Sequence, residues 1–148
     1  MRIMRYLSNK QDLGLSYTSD RNNGLEVYTD ADLGGDDLTS RSTTGSVVLY
    51  GGAPIFWRSS RQSIVTTSST EAEIVSLEST VKDIIRLFNL AIELGIIKPK
   101  PITIFCDNES AIHLVSNERS VHRTKHLKLK QAFIREQINL KQIKVLHV

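Results

Sequence analysis

The chain has 148 residues, which is the length of a single domain. Its composition of 40% hydrophobic and 24% charged residues is ordinary for a globular protein and argues against disorder. No apolar run approaches the roughly 20 residues that a membrane helix needs. The single cysteine, Cys106, excludes an intrachain disulfide and indicates a reducing compartment, the cytosol or the nucleus.

The formal net charge of +3 conceals a strong asymmetry along the chain. Residues 1–118 carry 11 Lys and Arg against 15 Asp and Glu, whereas residues 119–148 carry 8 Lys and Arg against one Glu. A basic segment behind a weakly acidic body suggests a polyanionic partner such as a nucleic acid. A solvated face of a surface helix explains the same pattern, and charge alone leaves both interpretations open.

The first third of the chain favours β structure. Residues 1–20 form a short preamble with one predicted helical turn, and Asn22-Asn23-Gly24 breaks the chain after it. Residues 25–32 alternate with a period of two, which predicts a strand. Two further β-rich runs, 46–50 and 53–58, flank Gly51-Gly52 and predict a hairpin.

A long helix is the best-determined element of the remainder. Ser68 and Glu71 have the spacing of a capping box at its start, and Gly95 marks its end. Its apolar stripe has helical period and consists of Ile74, Leu77, Val81, Ile84, Ile85, Phe88, Ala91 and Ile92. The elements predicted beyond it are a buried strand, two helices and a final strand, over residues 102–106, 111–115, about 124–138 and 142–148. This order predicts a mixed sheet with helices packed on it.

Three carboxylates lie at notable places in these elements. Asp30 is near the end of the first strand, Glu73 is near the start of the long helix, and Asp107 directly follows the buried strand. Each has an ordinary explanation: Asp30 as an exposed strand residue, Glu73 in a second capping box with Thr70, and Asp107 as the cap of the helix near Glu109.

Their joint arrangement favours a metal site instead. Glu73 lies four residues before Leu77 and therefore on the core-facing side of its helix, and Asp107 lies where ligand sites form in α/β sheets. If the strands are adjacent, carboxylates converge without a neighbouring Lys or Arg, and a divalent cation such as Mg²⁺ or Mn²⁺ relieves their repulsion. Asp32 shares a strand face with Asp30, so the pattern alone does not choose between them.

Five motifs follow one another in order along the chain: YTDADLGGD (28–36), RSTTGSVVLYGGAPIFWRSSRQ (41–62), SSTEAE (68–73), ITIFCDNESAI (102–112) and HRTKHLKLKQAFIRE (122–136). Together they resemble the ribonuclease H domain of copia-type LTR retrotransposon Pol polyproteins. The resemblance implies an α/β ribonuclease H-like fold, with a mixed five-stranded sheet of three antiparallel and then two parallel strands, and helices on its faces. It also implies that residues 1–20 connect a preceding reverse transcriptase region to a domain at 21–148.

The resemblance assigns roles to individual residues. Asp30, Glu73 and Asp107 match the acidic residues that bind two Mg²⁺ ions, with Mn²⁺ as a substitute, and so are the expected catalytic and metal-binding residues. The resemblance also suggests that the basic helix lies near the nucleic acid, with Arg123, Lys125 and His126. Lys128 and Lys130 are expected from their charge to neutralise backbone phosphates as well. For His126 a surface or packing role is the ordinary alternative.

The implied activity is hydrolysis of the RNA strand of RNA–DNA hybrids during reverse transcription. The expected partners are the hybrid and the reverse transcriptase region of the same polyprotein, with no membrane. The expected location is the cytoplasmic retrotransposon particle and the nucleus. An integrase-like nuclease with the same fold is a further class, but the order of the acidic motifs favours ribonuclease H.

The chain departs from the family pattern at two places. Leu33 stands where the family usually has an aromatic residue after the first acidic motif. The family also supplies a fourth metal-binding aspartate after the last strand, and this sequence stops at Val148 before any such residue. We therefore expect a domain truncated at its C-terminus, and the alternative function is a catalytically inactive remnant that acts only as a nucleic-acid-binding or structural module.

Overall fold

The computed structural model describes residues 2–17, 24–117 and 124–148. The strands of this part are β1 (Leu25–Asp32), β2 (Thr43–Tyr50), β3 (Ala53–Arg61), β4 (Ile102–Cys106) and β5 (Ile143–His147). The helices are α1 (Arg2–Ser8), α2 (Ser69–Glu93), α3 (Glu109–Ser116) and α4 (Lys125–Asn139). Each predicted element is present, and the hairpin strands extend beyond their predicted bounds because polar residues such as Thr43 and Arg61 continue the ladder.

The five strands form one mixed sheet in the order β3-β2-β1-β4-β5. The pairs β3–β2 and β2–β1 are antiparallel, whereas β1–β4 and β4–β5 are parallel. The predicted arrangement of three antiparallel and then two parallel strands is therefore confirmed. Because β1 and β4 are parallel neighbours, their carboxyl ends lie at the same edge of the sheet.

Helix α2 packs on the centre of the sheet and forms most of the core with it. It begins as predicted at Ser68, whose side chain accepts a hydrogen bond from the backbone N–H of Glu71. Gly95 follows its last turn with φ +68°, a conformation that glycine adopts without strain. The predicted apolar stripe is buried at Ile74, Leu77, Val81, Ile84 and Phe88. Helices α3 and α4 extend this core with Val115, Leu127 and Ile134.

One row of apolar side chains crosses all five strands through directly paired residues, in the order Trp57, Val47, Tyr28, Phe105 and Leu146. The rings of Tyr28 and Phe105 stack with their centroids 5.1 Å apart. Trp57 is 64% exposed, whereas its neighbour Phe56 packs against the core. This contrast agrees with the expectation that adjacent strand residues point to opposite faces.

The N-terminal segment lies outside the core. Helix α1 buries none of its residues, and the hydroxyl of Tyr17 donates to the carbonyl oxygen of Pro54 at 2.8 Å. The boundary predicted near residue 20 falls among residues outside the described part and stays a prediction. Among the described helices, none combines the length and apolar character needed to cross a membrane.

Candidate functional site

The three carboxylates singled out in the sequence lie on three elements that meet where β1 and β4 end. Asp30 is on β1, Glu73 is near the start of α2, and Asp107 follows β4 directly. Asp30 and Asp107 are exposed and line the same open cavity of about 530 Å³. Glu73 is only 4% exposed, as its predicted position on the core-facing side of the helix requires.

The carboxylate of Glu73 is held between the ends of the two strands. Its Oε1 accepts a hydrogen bond from the backbone N–H of Ala31 at 3.1 Å, and the Cys106 thiol donates to its Oε2 at 3.8 Å. Glu73 thus points to β1, and not back to Thr70 as a second capping box would require. One ligand atom each of Glu73, Cys106 and Asp107 lie within 4.8 Å of one another.

Burial and charge change the acidity of this site. The pKa of Glu73 is raised from 4.5 to about 7. Burial is the largest cause, the negative charges of Asp107 and Asp30 act in the same direction, and the hydrogen bond from the Ala31 N–H opposes them. In the described part of the chain no lysine or arginine forms an ion pair with Glu73. The negative charge of the deprotonated Glu73 carboxylate is therefore poorly compensated at neutral pH, and a bound cation would supply the balancing positive charge.

The donor chemistry of the site fits a hard divalent cation. Carboxylate oxygens are the ligands that Mg²⁺ and Mn²⁺ prefer. Burial raises the pKa of Cys106 to about 11, with the nearby charges of Glu73 and Asp107 acting in the same direction. The thiol therefore stays protonated at neutral pH, and the oxygen donors that remain in this group are the carboxylates of Glu73 and Asp107.

Two alternatives from the sequence are settled by local geometry. Asn108, and not Asp107, caps α3, since its side chain accepts the backbone N–H of Ala111 at 2.9 Å. The interpretation of Asp107 as a helix cap is therefore wrong. Asp30 is close enough to raise the pKa of Glu73, whereas the carboxylate of Asp32 lies against Gly35 in the following loop. Asp30 is accordingly the strand aspartate whose charge acts on Glu73, and we count it with Glu73 and Asp107 in the acidic cluster. Its carboxylate is not one of the ligand atoms that lie within 4.8 Å of one another.

The predicted nucleic-acid contacts that the structure describes lie on α4. Lys125, His126 and Lys128 are exposed there, and Arg123 lies outside the described residues. Lys130 is engaged within the protein, because its ammonium donates to the carboxylate of Glu78 on α2 at 2.8 Å. The predicted role of Lys130 as a free phosphate contact does not agree with this ion pair.

Glu78 is a second buried carboxylate of α2 that sequence analysis missed. Burial alone would raise its pKa, but hydrogen bonds from Lys130 and Lys82 outweigh burial and lower the pKa below its usual value. The sequence contained half of the signal, since Glu78 and Lys82 are four residues apart on one helix face. Lys130 is 52 residues from Glu78 in sequence, so no local pattern indicated that the two side chains pair.

Comparison with known proteins identifies relatives along the whole chain, although no protein-family model matches it. It is 38% identical over 147 residues, 99% of its length, to the retrovirus-related Pol polyprotein from transposon RE2 of Arabidopsis thaliana. It is 38% identical over 124 residues, 84% of its length, to the corresponding polyprotein from transposon TNT 1-94 of Nicotiana tabacum. The chain spans only 10% and 9% of these relatives, respectively.

Solved structures with the same architecture include an RNase H1, LC11, isolated from compost, with a TM-score of 0.63 and 19% identity over 85% of this chain and 84% of that one. A foamy viral protease-reverse transcriptase in complex with RNA/DNA hybrid gives a TM-score of 0.59 and 19% identity, over 93% of this chain and 19% of that one. At these identities the likeness establishes the fold, which is that of ribonuclease H domains.

Proposed function

Because this chain is a homologue of one segment of the retrovirus-related Pol polyproteins and has the ribonuclease H fold, we propose that it hydrolyses the RNA strand of RNA–DNA hybrids. The observation that carries this proposal is the environment of Glu73. A carboxylate that is 4% exposed and has no described basic partner lies beside Asp107, and Asp30 is near enough to raise its pKa. Such a cluster is stable at neutral pH when a cation balances it.

Asp30, Glu73 and Asp107 would hold the cations, which we take to be two Mg²⁺ ions with Mn²⁺ as a substitute. When bound, such ions activate a water molecule as nucleophile and stabilise the leaving oxygen of a phosphodiester. Glu73 would release its proton on cation binding, because its pKa of about 7 leaves it partly protonated in the metal-free protein. The Ala31 N–H fixes the orientation of the Glu73 carboxylate before the cation arrives.

Access for a long polyanionic substrate is consistent with this assignment. Asp30 and Asp107 are exposed and line the same open cavity, in which a phosphodiester backbone could reach their carboxylates. Lys125, His126 and Lys128 are exposed on α4 and would neutralise phosphates of the same substrate. A solved structure of the similar LC11-RNase H1 contains an RNA/DNA hybrid, which supports this substrate class.

The homologues are long polyproteins of which this chain matches about a tenth. A similar solved structure is a protease-reverse transcriptase. We therefore place the proposed activity next to a reverse transcriptase region of a longer polyprotein, where removal of RNA from a newly made hybrid is required.

The test is cleavage of a hybrid whose RNA strand carries a label. The protein is incubated with Mg²⁺ or Mn²⁺ and the hybrid, with duplex RNA and duplex DNA of the same sequence as controls. We expect cleavage of the RNA strand of the hybrid alone, with 5′-phosphate and 3′-hydroxyl ends, and loss of cleavage in Asp107→Asn. Hybrid binding without cleavage under either metal would contradict the proposal and favour a non-catalytic binding module.

A further inference from the structure

Three buried hydroxyl groups connect β1 to α2 directly behind the acidic cluster. Thr29 lies on β1, whereas Ser76 and Thr80 lie on one face of α2, and all three side chains are buried. The Oγ1 of Thr29 is 2.9 Å from the Oγ of Ser76 and 3.0 Å from the Oγ1 of Thr80. The Ser76 hydroxyl also donates to the backbone carbonyl oxygen of Asp30 at 2.7 Å.

The direction of these hydrogen bonds follows from counting protons. A carbonyl oxygen only accepts, so the single hydroxyl proton of Ser76 is committed to Asp30. Ser76 must then accept from Thr29, and Thr29 must accept from Thr80. The hydroxyls form a chain of donors that ends on the backbone of a residue of the acidic cluster, and each group in it is satisfied.

Together with the hydrogen bonds of the Ala31 N–H, the three hydroxyl groups form a closed set of contacts between β1 and α2 around the acidic cluster. The N–H of Ala31 lies 2.8 Å from Oδ1 of Asp30 and 3.1 Å from Oε1 of Glu73. Ser76 is three residues after Glu73, so both side chains leave the same face of α2 toward β1. Two hydrogen bonds therefore connect β1 and α2 at the cluster: the Ala31 N–H donates to Glu73, and the Ser76 hydroxyl donates to the Asp30 carbonyl.

We propose that Ser76 is a positioning residue that sets the spacing between the carboxylates of Asp30 and Glu73. The proposal rests on the proposed function, in which these carboxylates hold cations. The apolar contacts between α2 and the sheet are non-directional and tolerate small shifts of the helix. A bond from Ser76 to the carbonyl of Asp30 has a defined length and angle, and it therefore fixes the helix against the strand where the ligands must match a cation.

The chain offers a closely matched control for the removal of Ser76. Ser46 lies on β2 directly opposite Thr29, and its Oγ is buried without a hydrogen-bond partner among the described residues. Ser46→Ala thus removes a buried hydroxyl from the same layer without breaking a described hydrogen bond. Thr80→Val removes the far end of the donor chain and leaves the bond between Ser76 and Asp30 in place.

The experiment compares Ser76→Ala, Thr80→Val and Ser46→Ala with the unaltered chain in two measurements. The first is Mn²⁺ affinity by calorimetry, and the second is the NMR signal of the Ala31 amide in metal-free protein. For Ser76→Ala we expect about tenfold weaker Mn²⁺ binding, the loss of one hydrogen bond, together with a displaced Ala31 signal. Thr80→Val should weaken binding about two- to threefold, and Ser46→Ala should change neither measurement.

The outcomes separate this proposal from the proposed function. If Ser76→Ala lowers the unfolding temperature but leaves Mn²⁺ affinity within twofold and the Ala31 signal in place, the network is merely structural and the positioning role is wrong. An effect of Ser46→Ala as large as that of Ser76→Ala would overturn it as well. If the unaltered chain binds no Mn²⁺, the proposed function fails, and the Ala31 signal alone decides whether Ser76 positions the cluster. If Ser76→Ala does not fold, Ser76→Cys takes its place, because a thiol donates only a longer and weaker hydrogen bond to the carbonyl of Asp30. An unchanged Mn²⁺ affinity and Ala31 signal in Ser76→Cys would then overturn the positioning role.

Discussion

Helix α2 buries two glutamates five residues apart, and their surroundings differ in one respect that matters. Glu73 is 4% exposed and has no described basic partner, and burial raises its pKa to about 7. Glu78 is 7% exposed and is paired with both Lys82 and Lys130, which lower its pKa in spite of its burial. Lysines of the chain thus balance the charge of Glu78, and the Lys130 ion pair connects α2 to α4. No described lysine or arginine balances the charge of Glu73, which is the reason for proposing a bound cation there.

The largest expected difference between the two glutamates is in hydrolysis. Glu73→Gln removes a proposed ligand and should lower the initial rate of hybrid cleavage at least 100-fold, about 2.7 kcal/mol in activation free energy. Glu78→Gln leaves the cluster intact and should keep the rate within about threefold. Initial rates at saturating Mg²⁺ check both values. Equal losses in the two variants would remove the distinction between a functional and a structural glutamate.

Stability should show the reverse order. Glu78→Gln leaves Lys130 half-buried without its counter-ion, so the free energy of unfolding should fall by about 1–3 kcal/mol at pH 7.5. Glu73→Gln removes a poorly compensated buried charge and keeps an acceptor for the Ala31 N–H, so it should not lower that free energy. Urea titrations of metal-free protein provide the comparison. A large destabilisation by Glu73→Gln would mean that its carboxylate is a structural group.

The two glutamates should also impose opposite pH dependences on the metal-free protein. Because the pKa of Glu73 is raised from 4.5 to about 7, the folded state binds more protons than the unfolded state between these values. Stability should therefore decrease as the pH rises from about 4.5 to 7. We expect a loss of about 1–2 kcal/mol, less than the full shift implies, because water around the exposed Asp107 beside Glu73 weakens the electrostatic penalty.

The lowered pKa of Glu78 acts in the other direction. Its ion pairs stabilise the folded state above the usual glutamate pKa, and this stabilisation is lost as the pH falls through the lowered value. Unfolding free energies measured from pH 3 to 8 check both effects. The decrease with rising pH between about 4.5 and 7 should disappear in Glu73→Gln, and the decrease with falling pH in the acid range should disappear in Glu78→Gln. A neutral slope that persists in Glu73→Gln would assign it to another group.

The sequence predicted the elements and the acidic cluster, but it could not separate these two glutamates. Period, capping and the strand-end position singled out Glu73 and Asp107 from local patterns, whereas the choice of Asp30 over Asp32 needed the resemblance to the family motif. The partner that distinguishes Glu78 is Lys130, which only the packing of α4 against α2 brings near. The choice of Asn108 over Asp107 as the cap of α3 likewise depends on backbone geometry, since both residue types cap helices well.

The smallest expected effects concern hybrid binding and depend on the same pairing of Lys130. Lys128 is exposed on α4, so Lys128→Gln should reduce the slope of log affinity against log salt by about one unit. Lys130→Gln should leave the slope almost unchanged, because the charge of Lys130 is already balanced by Glu78. Fluorescence anisotropy of a labelled hybrid in increasing KCl measures both. A slope reduced equally in both variants would place Lys130 on the substrate.

The most direct measurement is a calorimetric Mn²⁺ titration of the unaltered chain, Glu73→Gln and Glu78→Gln at pH 7.5. We predict that the unaltered chain and Glu78→Gln bind Mn²⁺ with similar affinity, with proton release from Glu73 in the unaltered chain. Binding should be lost or weakened at least tenfold in Glu73→Gln. Binding of Mn²⁺ by Glu73→Gln as tightly as by the unaltered chain would contradict the assignment of the buried, uncompensated carboxylate as a metal ligand.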